Sequence, residues 1–442
     1  MSVLLITIIF FLGTVLSKLL FNKWFNHLSL YCFIMGGLIF LYELKLFPYH
    51  SIIPLAWFYY LASFLSFILG IVTVISAKDL FPQKQLTSKQ SVIQSPIFRN
   101  DGKILKYSVL FFSLIALFVA VQRWVVLIGM FGSIPSVLVN ASVVYRLNVR
   151  QEIKEFIPIL PAFVYVAVFL SGIFTAYKGK ITFLTFLPFI AIILKELTYF
   201  GRAELLLTMM EFLFSFFLFR HLLNNDSSKR FKFSKINAAI AFTLLLVLLI
   251  ATASFIRVGR GARENYVGVS RELRQLSENM IISPSVYLYL SSDAGVFSKY
   301  LEAGGEDVNF GENTFFIFHV FLSRLGVIQK PGFFSKGYHI PMWSNTGTFL
   351  RELHADFGIA GIFLVPYLIG LIITWLWFKF YEEKSLYVFA FLVYFYLIIG
   401  FSFLTLVTKL NQWYISLLLI LLFLPLLEKL ASHTGYTIPR RE

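Results

Sequence analysis

Apolar runs of about twenty residues recur along the whole chain, each long enough to cross a bilayer core as a helix. The pattern predicts eleven spans, at roughly 2–21, 28–47, 52–77, 105–127, 157–177, 181–200, 203–223, 236–256, 357–379, 385–407 and 411–430. The first run lacks a basic leader and a small-residue cleavage site, so it reads as a span and not as a removed signal. The expected fold is therefore an all-α polytopic membrane bundle. One long stretch interrupts it and divides the chain into a bundle at 1–256, a loop at 257–356, and a second bundle with a short tail at 357–442.

Within that loop, Tyr266–Met280 and Ser283–Leu301 have helical character. Asn313–Leu325 (NTFFIFHVFLSRL) starts on an asparagine and carries a dense aromatic face, which predicts an amphipathic helix lying on the membrane. Phe131–Phe156 is also amphipathic, with Arg146, Arg150 and Lys154 at helical spacings.

Charge sets the orientation. The segments 78–104 (Lys78, Lys84, Lys89, Arg99, Lys103) and 224–235 (Lys229, Arg230, Lys232, Lys235) are short and basic, and so are expected on the cytoplasmic side. Alternation then places the N-terminus outside, the C-terminus with Arg440 and Arg441 inside, and the long loop outside. Of the 442 residues, 58% are hydrophobic and 14% charged, and mean hydropathy is +0.78. The net charge of +15 is accounted for by cytoplasmic loops, so no nucleic-acid partner is implied. The single cysteine, Cys32, excludes a disulfide or thiolate metal site within one chain. No Gly-rich phosphate loop, CxxC, HExxH or DxD pattern occurs, so neither ATP hydrolysis nor a cofactor or metal is expected. No internal repeat stands out, which leans against many carrier folds.

Three stretches could carry chemistry. In SFIRVGRGAREN, Arg257, Arg260 and Arg263 recur every third residue just outside the eighth span. A planar guanidinium donates two hydrogen bonds to phosphate and keeps its charge. The stripe reads either as a snorkelling contact with anionic headgroups or as a pyrophosphate site. In LKELTYFGRAELL, Lys195, Glu196, Arg202 and Glu204 crowd the turn between spans six and seven. Gly201 is expected to permit that turn. Arg202 either pairs with Glu196 or Glu204, or binds an anion.

In WSNTGTFLRELHADFGIAGIF, Asn345 or Thr346 can cap a helix that runs from Gly347 into span nine. Arg351 and His354 would share one face and Glu352 and Asp356 an adjacent one. Ala355, Gly358 and Gly361 form a small-residue line for a neighbouring helix. A carboxylate and an imidazole beside arginines can supply acid–base catalysis; the alternative is a capping and anchoring cluster. His319, His339 and Trp343 are weaker signals, compatible with packing or with glycan contact. The acidic run EAGGEDVNFGEN (Glu302–Asn313) could bind a divalent cation but lacks regular ligand spacing, so it reads as a solvated loop. Arg123, near the outer end of span four, fits either a structural or a functional role.

A Gly-Arg pair in a tight outer turn and a long outer loop that begins with arginines and ends in Asp-Phe-Gly occur together here. With Asn313–Gly326, Ser344–Gly370 and Phe200–Glu204, this arrangement resembles the Wzy-type O-antigen and capsule repeat-unit polymerases. The resemblance implies a membrane glycosyltransferase at the outer face of the bacterial cytoplasmic membrane. Its donor and acceptor would both be undecaprenyl-pyrophosphate-linked oligosaccharides, with membrane lipids and a polysaccharide chain-length regulator as further partners. It implies that Arg202, Arg257, Arg260 and Arg263 hold pyrophosphate. It also implies that Asp356, His354 or Glu204 takes the acceptor proton, with Arg351 fixing that base or contacting phosphate. Asn345, Trp343, His319 and His339 would contact glycan. The rival readings are an O-antigen ligase-like transferase, a flippase or transporter of lipid-linked oligosaccharide, and a non-enzymatic scaffold.

Overall fold

The structure, a computed structural model, describes residues 3–80, 95–150, 159–226, 268–278 and 284–434, with isolated positions in the intervals between 150 and 159 and between 226 and 268. The described chain is helical. In order it forms α1 (Val3–Phe21), α2 (His27–Glu43), α3 (Pro54–Leu80), α4 (Arg99–Phe131), α5 (Ile134–Val139) and α6 (Ala141–Val149). Then follow α7 (Phe163–Lys178), α8 (Phe183–Tyr199), α9 (Ala203–Asp226), α10 (Arg271–Glu278), α11 (Pro284–Ser291) and α12 (Asp293–Glu302). The last are α13 (Phe316–Arg324), α14 (Phe349–Phe357), α15 (Ile359–Glu383), α16 (Leu386–Phe401) and α17 (Asn411–Thr434). Two short strands, β1 (Tyr338–His339) and β2 (Trp343–Ser344), pair antiparallel with His339 opposite Trp343.

Among the described residues, six helical segments are long and apolar enough to cross a membrane: Pro54–Lys78, Pro96–Phe131, Leu160–Lys178, Ala203–Leu223, Ile359–Glu383 and Asn411–Ser432. Ile6–Phe21, His27–Glu43 and Leu386–Phe401 are shorter apolar helices. The chain is thus an all-α, multi-pass membrane protein. The expected span at 236–256 lies mostly outside the described residues, as do most of the two basic segments and Lys154.

The chain divides into two compact units. The first comprises Met1–Leu86, Glu264–Phe378 and Phe395–Trp413. In it, α1 and α2 form a hairpin turned at Asn22, whose φ of 53° suits asparagine better than most side chains. Asn26 caps α2 by accepting from the Ser29 N–H at 2.9 Å. Helices α3 and α15 touch backbone to backbone. A side chain on Gly70 would strike the Tyr367 carbonyl, and one on Gly370 the Phe67 carbonyl. Such close approach is how small residues weld helices where lipid removes the usual hydrophobic drive.

The second unit comprises Thr87–Arg263, Lys379–Tyr394 and Tyr414–Glu442. Here α4 packs on α7 and α8, and α7 on α9. Asn100, Asp101 and Gly102 all have positive φ, so regular helix begins only after them. Gly179, in the left-handed region, ends α7, and Thr182 starts α8 with a capping box through Thr185. The turn into α9 corrects one expectation: the left-handed residue is Phe200 (φ 51°), not Gly201. Gly201 instead makes room for the Glu196 carboxylate, whose Oε2 lies 2.5 Å from where a Cβ would sit.

Candidate functional site

Helix α14 lies in the first unit and ends where span α15 begins. It does not run from Gly347 into the membrane as one helix. Thr348 occupies its N-cap position, and Gly358 breaks it at φ 58°, ψ −144°, a conformation that suits glycine. Gly361 also departs from its expected role. A side chain there would meet the Leu353 carbonyl, so the glycine accommodates the bend of α15 away from α14 and not a neighbouring helix.

Each charged side chain of α14 has a different use. Asp356 is fully buried and accepts four hydrogen bonds. Oδ1 takes the Asn313 N–H at 2.9 Å and the Asn313 side-chain amide at 2.7 Å. Oδ2 takes the Thr314 N–H at 2.7 Å and its hydroxyl at 2.6 Å. A carboxylate offers about four lone-pair sites, so none remains for a substrate hydroxyl in this arrangement. Asn313 consequently serves as a ligand of Asp356 and not as the cap of an amphipathic helix, and α13 starts later, at Phe316.

Glu352 ties down the segment after α16. It accepts from Thr405 Oγ1 at 2.6 Å and from the Leu406 N–H, while Lys409 Nζ lies 3.4 Å away and also donates to Ser335. Arg351 is 1% exposed and donates to Glu306 at 3.1 Å, to the Lys336 carbonyl at 2.6 Å and to the Asn345 carbonyl at 3.2 Å. Its guanidinium carbon lies 5.4 Å from both the Tyr300 and Tyr338 ring centroids.

His354 differs from its neighbours. It is half-buried, and its Nδ1 lies 2.9 Å from the Tyr300 hydroxyl, which also accepts the Glu306 N–H at 3.2 Å. Burial lowers the pKa of the imidazole below 6.5, which favours the neutral ring. Burial pushes the Tyr300 phenol up to about 12, partly offset by the Glu306 N–H. A neutral imidazole with one nitrogen fixed and the other open is the form a general base requires.

Asp293, at the start of α12, went unremarked in the sequence. It is fully buried, accepts from Thr346 Oγ1 at 2.7 Å, and leaves Oδ2 without a partner. Burial holds its pKa well above the usual carboxylate range, with Thr346 opposing and Glu352 adding to the effect. Tyr300, Glu306, Tyr338 and Lys409 were likewise missed. Aromatic and polar loop residues carry no spacing signal, and they acquire meaning only once α14 shows where they converge.

The candidate glycan contacts sit in different settings. Trp343 is exposed on β2, with its ring against Gly337, and His339 is exposed on β1. Asn345 gives its carbonyl to Arg351. His319 lies on α13 with Nδ1 3.3 Å from the Phe315 carbonyl.

The second unit holds its own polar cluster. Lys195 pairs with Glu204 and lies 3.8 Å from Glu196, and the Tyr165 hydroxyl donates to Glu204 at 2.8 Å. Lys195 thus faces both Glu204 and Glu196, and Arg202 is half-buried beside them. Arg123 is buried and structural, donating to Thr198 at 3.0 Å and Asn148 at 2.7 Å and lying 3.6 Å from the Tyr199 ring centroid. Glu211, within span Ala203–Leu223, is fully buried and takes the Tyr394 hydroxyl at 3.0 Å. Arg257, Arg260 and Arg263 lie outside the described residues. No protein-family model matches the chain, and no curated protein or solved structure matches it significantly.

Proposed function

We propose that this chain is a membrane glycosyltransferase that polymerises undecaprenyl-pyrophosphate-linked oligosaccharide units into O-antigen, capsule or exopolysaccharide. In this reading eleven spans cross the bacterial cytoplasmic membrane, with the N-terminus outside, the C-terminus inside and residues 257–356 forming an outer loop. The observation that carries it is His354. Among the ionisable side chains of α14, this one is not saturated by the loops around it, and it stands at the mouth of a span.

The chemistry follows from that placement. In the tautomer with its proton on Nδ1, His354 points a basic Nε2 at an acceptor hydroxyl while Tyr300 fixes the ring. The hydroxyl gives its proton to Nε2, its oxygen bonds to the anomeric carbon, and the bond from that carbon to the pyrophosphate oxygen breaks. The lipid pyrophosphate departs with the electron pair. Arginines stabilise the departing charge without needing reorganisation, a role we assign to Arg202, Arg257, Arg260 and Arg263. Asp356 and Arg351 act as positioning residues. Trp343 and His339 present ring faces to the glycan, and a chain-length regulator is the expected protein partner.

A second reading, a transporter of lipid-linked oligosaccharide, is favoured by one observation. Glu211 is an ionisable side chain buried within a span, where such groups tend to mark pathways. Surface polysaccharide from a strain lacking this protein separates the two. Single repeat units on the final carrier, with the ladder gone, support the polymerase. Loss of all surface units, with lipid-linked material trapped inside, supports the transporter and retires His354 as base. Long chains accumulating on the lipid carrier indicate a ligase. Within the polymerase reading, Arg202→Ala and Arg260→Ala abolish long chains at normal protein level, and lysine at either position restores little.

A further inference from the structure

We propose that residues 308–334 form a membrane-docking surface that seats in the headgroup layer of an anionic bilayer. This inference rests on the membrane character of the chain and not on the transferase reading. The segment is apolar where a water-exposed loop would be polar. Phe310, Phe318, Phe321, Leu325, Val327 and Phe334 are all exposed, Phe310 by 83%. They extend well beyond α13, on both sides of it. Exposed apolar surface on this scale marks an interaction site.

Continuity identifies the occupant. The segment is pinned to the last turn before span α15 by the Asp356 hydrogen bonds and by the Asn309 N–H, which donates to the Ala355 carbonyl at 2.9 Å. Val308 lies against Gly358, and Gly311 sits between Phe315 and Phe357. The span then begins with Ile359, itself 59% exposed, and continues its outward apolar face through Phe363 and Leu364. The apolar surface of 308–334 therefore joins a lipid-facing helix at the level of its first turn. A protein partner would have to cover the surface and stop where the lipid begins, whereas a bilayer covers both without a seam. Charge agrees with this, because Arg324 and Lys330 are exposed within the same surface and suit anionic headgroups. Aromatic side chains are also the residues that favour the membrane–water interface.

The single cysteine makes a direct test possible, since Cys32 is buried and Cys32→Ser leaves no reactive thiol. In that background, cysteines at Phe318, Phe321 and Leu325 are spin-labelled in the full chain, with Glu302 as an exposed control. The protein is placed in nanodiscs of phosphatidylethanolamine and phosphatidylglycerol. Collision with oxygen and with a water-soluble nickel chelate then gives depth. The expected result places all three labels about 5–10 Å into the headgroup–acyl boundary, with the label at 302 in water. Nickel access equal to that at 302 would overturn the proposal. So would labels shielded from both reagents, which would mean that a protein or a second copy covers the face. A further variant, Arg324→Gln with Lys330→Gln, is expected to abolish the dependence of depth on lipid charge. Depth that is independent of lipid charge in the native chain would remove the electrostatic half of the assignment.

Discussion

Asp356→Ala separates a structural carboxylate from a catalytic one. The substitution removes the acceptor of four hydrogen bonds, two of them from the backbone N–H groups of Asn313 and Thr314. A hydrogen bond to a charged group contributes about 1.5–3 kcal/mol net, so the two backbone bonds alone give a floor of about 3 kcal/mol. At about 1.4 kcal/mol per factor of ten, those two amides should exchange with solvent roughly 100-fold faster. Asp356→Asn keeps one carbonyl oxygen but turns an NH2 toward donors, so at least one of the two amides should be affected. Hydrogen exchange read by mass spectrometry on the full protein in nanodiscs measures this directly. The acceleration should appear in peptides covering 309–316 and be absent from those covering span α15. Unchanged exchange at 313 and 314 in a folded Asp356→Ala protein, with polymer lost, would refute the latch and restore Asp356 as a base.

Other consequences concern different groups. His354→Gln should eliminate chain elongation while leaving the protein folded. The acid limb of the native rate profile should fall below pH 6.5, because a depressed pKa keeps the imidazole neutral further into acid. Asp293 runs the other way. Its folded value is raised, so folding favours the protonated form: that stabilisation is complete below the unfolded value near 3.8 and is lost as pH rises from there through the raised folded value. Asp293→Asn keeps the shape without the charge, so it should raise the melting temperature at neutral pH, with the gain vanishing below about pH 4. A topology reporter fused after residue 300 should read as outside and one after residue 90 as inside; the reverse pair would overturn the orientation and the site with it.

Membrane character was legible because hydropathy and length are additive along the chain and lipid tolerates little other than helix; among the described residues six of the expected spans return as helices long enough to cross and three more as shorter apolar helices. The charged turn at 351–356 was legible too, as an unusual density of ionisable groups before an apolar run. Its internal roles were not. Helical spacing put Glu352 and Asp356 on one face and suggested a shared purpose, yet they bind segments about 90 residues apart in sequence, 405–409 and 313–314. Spacing along one helix says which side chains are neighbours, not what stands opposite them. The break at Gly358 escaped for a related reason. Glycine permits a kink and close helix packing equally, and only the loop that folds under it, with Asn309 on the Ala355 carbonyl, selects the kink.

Charges at the mouth of a span need a physical reason, and the hydrogen bonds supply one. Between α12 and α14 the chain runs for more than forty residues with only α13 and a hairpin of two two-residue strands as regular structure. Irregular backbone near a membrane cannot leave its polar groups to water as freely as a surface loop can. The carboxylates take N–H groups: Asp356 those of Asn313 and Thr314, Glu352 that of Leu406. The guanidinium takes carbonyls, those of Lys336 and Asn345. Sign matches demand in each case, since an anion can only accept and Arg351 can only donate. Three of the four ionisable groups on α14 are therefore accounted for by the loops they organise. His354 is the exception: its partner is a side chain, it is half-exposed, and its neutral form can both give and take a proton. A base held steady by Tyr300 while the charges around it are occupied elsewhere can change its protonation state without disturbing the loops.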